Sequence, residues 1–110
     1  MKVQNVETLD LNDSGVLEIF IKSGVVQFKI DYIEDYGTDT SNIYRLQFNG
    51  CRYVSSTINL NVTWPDSILC AAEIIDGEWR NIKLEMLTSA SVFNISCRSV
   101  SLLPVESQDE

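Results

Sequence analysis

The chain has 110 residues, 45% apolar and 22% charged, with 16 acidic against 8 basic side chains, no histidine and a net charge of −8. A chain of this length buries roughly two-thirds of the surface its unfolded form exposes, needing neither disulfide nor metal to fold, and the composition lies well away from the disordered class. The charge argues against nucleic acid and anionic membranes as direct partners. The missing imidazole excludes Ser-His-Asp and Cys-His catalysis and any histidine zinc site.

Residues Val6 to Leu11 alternate briefly and run into Asn12-Asp13-Ser14-Gly15, a cluster of turn formers, so an edge strand and a turn are expected there. The opening MKVQNVETLDLND lacks the apolar core of a signal peptide. No apolar run reaches the roughly 18 residues of a membrane span, and a cytoplasmic protein is expected.

The strongest pattern is VLEIFIKSGVVQFKIDYI, Val16 to Ile33. Leu17, Ile19 and Ile21 alternate with Glu18, Phe20 and Lys22; after Ser23-Gly24, Val26, Phe28, Ile30 and Tyr32 alternate with Gln27, Lys29 and Asp31. A period of two on either side of a two-residue turn containing glycine predicts an antiparallel hairpin. Glu34 to Asn42 is polar, acidic and aperiodic, the longest loop expected. Within it, Asp35-Tyr36-Gly37-Thr38-Asp39 superficially resembles a calcium loop but lacks the further carboxylates and terminal Glu, so no metal site is expected.

Alternation resumes from Ile43 to Asn49, and Asn49-Gly50 is a strong turn signal. The following strand begins at Cys51 or is broken near Ser55-Ser56. Thr57 to Trp64 alternates, and Pro65 ends the run. Residues 67–75 read two ways. Asp66 could cap a short helix with Ile68, Leu69, Ala72 and Ile75 on one face, whereas the following Asp76-Gly77 is a preferred hairpin dipeptide and favours a strand. Trp79 to Leu87, Val92 to Arg98 and Val100 to Leu103 complete the strands, and the acidic tail at 105–110 is expected to fray. About eight short strands at roughly ten-residue spacing predict a single all-β domain, an antiparallel sandwich or open barrel.

Three cysteines, Cys51, Cys70 and Cys97, show no CxxC spacing and read as small buried hydrophobes in a reducing compartment. The triplets Asn61-Val62-Thr63 and Asn94-Ile95-Ser96 match glycosylation acceptors but fall inside predicted strands. Neighbouring carboxylates, Glu34 with Asp35 and Asp76 with Glu78, read as solvated loop acids rather than a glycosidase pair, and no catalytic residue, cofactor or metal is expected. Residues 41 to 64 contain no acid at all, which concentrates acids before and after them. If the fold brings Glu34, Asp35 and Asp39 near Asp76 and Glu78, with Tyr36 and Trp79 among them, an acidic patch with aromatic anchors results, suited to steering a basic protein. The plain alternative is that Trp79 packs in the core and the acids are simply wet.

In the layout of LDLNDSGVLEIFI (Leu9 to Ile21), IYRLQFNGCRYV (Ile43 to Val54) and SVFNISCRSVSLL (Ser91 to Leu103), the chain resembles small all-β bacterial immunity proteins, including those of contact-dependent growth-inhibition systems. The resemblance implies a non-enzymatic protein that binds one cognate toxin, commonly a basic nuclease, and covers its active site. A second expectation is a small-ligand or carbohydrate-binding domain, with Tyr32, Tyr44, Tyr53 and Trp64 lining a concave face.

Overall fold

The computed structural model describes residues 2–35, 40–58 and 66–105, with side chains described throughout except at 33–35, 40 and 41. The chain is all-β. Its strands are β1 (Gly15–Lys22), β2 (Val25–Asp35), β3 (Thr40–Asn49), β4 (Tyr53–Thr57), β5 (Asp66–Asp76), β6 (Trp79–Met86), β7 (Val92–Cys97) and β8 (Ser99–Pro104). They form one antiparallel sheet in the order β4-β7-β6-β5-β1-β2-β3-β8. Among the described residues no helix is long and apolar enough to cross a membrane.

The sheet folds over on itself. Phe28 of β2 and Phe93 of β7 lie four places apart in strand order, about 19 Å in a flat sheet, yet their rings meet edge to face at 5.2 Å. β5 provides the bend. It joins β1 only through Ser67 and Asp66, opposite Gly15 and Val16, and then pairs along its length with β6. Between the halves lie Val26, Phe28, Ile30, Leu46, Phe48, Val100 and Leu102 from one side and Ile68, Ile82, Leu84, Met86, Phe93, Ile95 and Cys97 from the other, all buried. The alternation read from the sequence becomes burial wherever a strand lies over the opposite half.

Residues 67–75 form strand, not helix. The strand after Gly50 is the unbroken β4, running straight through Ser55-Ser56. Three other expectations need correction. Val6 to Leu11 does not form a strand; Val6–Thr8 is a 3-10 turn, because Asn5 Oδ1 accepts the Glu7 N–H at 2.8 Å and Asn5 O accepts those of Thr8, satisfying the backbone locally. The loop after the hairpin is shorter than expected: Glu34 and Asp35 still belong to β2, and β3 begins at Thr40. The single face expected of Leu17, Ile19 and Ile21 is interrupted by a register shift between Val16 and Glu18, which leaves Leu17 42% exposed, while Ile21, opposite Val26 near the hairpin tip, is 58% exposed. Residues 59–65, most of the Thr57 to Trp64 run, and the tail from 106 lie outside the described residues.

A buried carboxylate organises the turn between β6 and β7. Asp66 Oδ1 accepts the N–H groups of Ser67 (2.7 Å) and Thr88 (3.0 Å), and Oδ2 accepts that of Ser89 (2.8 Å). Burial alone would raise this carboxyl, but the bonds from Ser89, Thr88 and Ser67 outweigh it and hold the pKa at about 2, below the 3.8 of a free aspartate. The stabilisation is therefore complete above pH 4 and is lost as pH falls toward 2. Asp66→Asn is expected to cost on the order of 1–2 kcal/mol at pH 6, with the difference from wild type vanishing near pH 2 in urea titrations.

Candidate functional site

One end of the molecule gathers acids. Asp31 of β2 lies opposite Gly15 on one side and Ile43 on the other, and the Cβ a side chain at Gly15 would carry falls 3.8 Å from Asp31 Cβ. Asp13 is exposed two residues before Gly15, in a left-handed turn (φ 70°) held by its N–H to Ile68 O at 3.0 Å. The backbone of Glu34 and Asp35 continues β2 beyond Asp31 at the same end. No ion pair engages Asp13 or Asp31 among the described residues. The cations Lys29 and Arg45 face each other one row inward, with Glu18 beside Lys29.

Asp76, Glu78 and Trp79 lie at the other end, so the single acidic patch does not assemble. Asp76 and Trp79 close the β5–β6 hairpin around Gly77, whose φ of 63° suits glycine. This end adjoins the β1–β2 turn, because Cys51 N donates to Gly24 O at 2.9 Å and Arg52 follows. From that turn β2 runs its whole length before reaching Asp35, roughly 30 Å away. Trp79 is half-buried and lies outside the core, with the guanidiniums of Arg52 and Arg98 4.4 and 4.9 Å from its ring centre. Glu78 and Arg98 pair at 3.5 Å, but with side chains 60% and 59% exposed the pair contributes little. Tyr36 and Asp39 lie outside the described residues.

The outward face of β4, β7, β6 and β5 carries rows of facing residues, Tyr53, Ser96, Asn81 and Ile74, then Ser55, Asn94, Lys83 and Ala72. All of these but Ala72 line a shallow groove of about 370 Å³. Tyr32 and Tyr44 are not part of it. Their rings pack edge to face at 5.6 Å on β2 and β3 against the core, and Trp64 lies outside the described residues, so the four-aromatic face is not assembled.

The buried charges serve the scaffold. Glu73 Oε2 takes Arg80 Nε at 2.5 Å and Oε1 takes Arg80 Nη2 at 3.0 Å and Val6 N at 2.9 Å, while Arg80 Nη1 donates to Val3 O at 2.8 Å. Glu7 Oε2 in turn accepts Glu73 N at 2.9 Å, tying the N-terminal segment to β5. Sequence reading missed this pair because nothing in local pattern marks Glu73 for burial. Among the described residues no cluster of His, Cys, Asp or Glu is arranged to hold a metal ion. No protein-family model and no curated protein matches the chain.

Proposed function

We propose that the chain is a non-enzymatic, immunity-type protein that acts in the cytoplasm by docking its acidic end against a basic protein toxin, covering the cationic groove where a nucleic acid would bind. The observation carrying the reading is the gathering of Asp13 and Asp31 beside the Glu34–Asp35 backbone, on a chain of net charge −8. Clustered carboxylates on a rigid sheet end steer a cationic partner and speed its association without reorganising. A specific inhibitor of this kind buries on the order of 1,600 Å² with its partner.

The test is protection on co-expression. Bacteria carrying basic nuclease-toxin domains are scored for survival with the wild-type chain or with the variant Asp13→Asn, Asp31→Asn, Glu34→Gln, Asp35→Asn. One toxin should be neutralised by the wild type, and the variant should associate with it about 10- to 100-fold more slowly at low salt. Equal association by both proteins would refute the acidic end as the docking surface. The groove around Tyr53 favours a second reading, binding of a small polar ligand such as a sugar. An oligosaccharide array should then give hits that Tyr53→Ala abolishes.

A further inference from the structure

Cys51 and Cys97, far apart in the chain, meet at the seam between the two halves of the sheet. Arg52 N donates to Ser96 O and Arg98 N to Asn49 O, both at 3.0 Å, so two backbone bonds flank the cysteines. The second bond skips Gly50 (φ 64°), so Gly50 and Cys51 together oppose Cys97 as at a β-bulge, which sets the two cysteines face to face on neighbouring segments. Cys51 Sγ donates to Phe48 O at 3.3 Å, which leaves its sulfur to accept from the neighbouring Cys97 thiol. Cys97 is fully buried and Cys51 half-buried, whereas Cys70 sits on β5 with its thiol donating to Glu85 Oε1 at 3.0 Å.

We propose that Cys51 and Cys97 are a covalent modification site, a dithiol built to close into one intramolecular disulfide on exchange with a low-molecular-weight disulfide. The half-buried Cys51 thiolate attacks one sulfur of oxidised glutathione, forming a mixed disulfide and releasing one glutathione thiolate. Cys97 gives its proton to solvent and displaces the second glutathione from Cys51. Two protein thiols are oxidised and one glutathione disulfide is reduced to two thiols. The bond joins the turn after β3 to the end of β7 and fixes the backbone on which Arg52 and Arg98 reach over Trp79. Burial pushes the Cys97 thiol up to about 12 and raises that of Cys51 as well, which keeps both sulfurs protonated and the exchange slow near neutrality.

The experiment incubates the folded chain with excess oxidised glutathione at about pH 8.5, where more thiolate is present, followed by intact mass and peptide mapping under non-reducing conditions. The expected result is a loss of about 2 Da per chain, one Cys51–Cys97 cross-linked peptide, the same outcome in Cys70→Ser, and none in Cys51→Ser or Cys97→Ser. A glutathione adduct that stalls on Cys51, a bond involving Cys70, or an unchanged mass would each overturn the proposal. None of these outcomes bears on the acidic end, which carries no cysteine.

Discussion

Arg80→Met is expected to lower the stability of the fold by about 3–5 kcal/mol, because it leaves Glu73 buried without its cation. The Glu73 side chain is fully buried and that of Arg80 only 13% exposed, so little solvent is available to rehydrate the survivor. The loss is not confined to two side chains. Arg80 holds Val3 O and Glu73 holds Val6 N, so the segment that packs Val3, Val6 and Leu11 into the core loses its anchors together. Urea denaturation should show the destabilisation, and hydrogen exchange should speed first at Val6. The double variant Glu73→Gln, Arg80→Met should recover much of the loss, since no buried charge remains; a double variant as unstable as the single one would contradict this account.

Phe28→Ala should cost a comparable amount, about 3–5 kcal/mol, through lost burial and the cavity it leaves. Phe28 is fully buried and its ring meets Phe48 at 6.0 Å and Phe93 at 5.2 Å, so it contacts its own half of the sheet and the facing half. Phe20 is the internal control. It opposes Gln27 on the outward side of the same hairpin and is 53% exposed, so Phe20→Ala should shift stability by only about 0.5 kcal/mol. Equal losses for the two variants would mean that the halves do not close on Phe28.

The hairpin also marks how far the sequence can be read. Counting back from the Ser23-Gly24 turn, Lys22 opposite Val25, an unbroken register would set Gly15 opposite Tyr32. The shift between Val16 and Glu18 sets it opposite Asp31. That one residue sets Asp31 rather than Tyr32 opposite Gly15, and no local signal announces a bulge in a run as regular as Val16 to Lys22. Trp79, one of the two aromatics expected in the acidic patch, lies under two cations that its local sequence does not mark. Arg52 lies in the turn after β3 and Arg98 between β7 and β8, and only that turn and the ladder between β6 and β7 set them over Trp79. The meeting of Cys51 with Cys97 leaves no mark in the local sequence for the same reason.

The β1–β2 hairpin, the glycine turns at Gly24, Gly50 and Gly77, the all-β class, the acidic excess and the lack of imidazole chemistry were determined by the sequence alone. Each follows from side-chain alternation, from backbone angles within a few residues, or from counting charges. The tertiary structure alone decided which acids share an end, which cations flank Trp79, that Glu73 is buried on Arg80, and that Cys51 meets Cys97. These depend on strand order and register, set by how two apolar faces close over a common core, and that closure sums contacts among residues too distant in the chain to leave a local pattern.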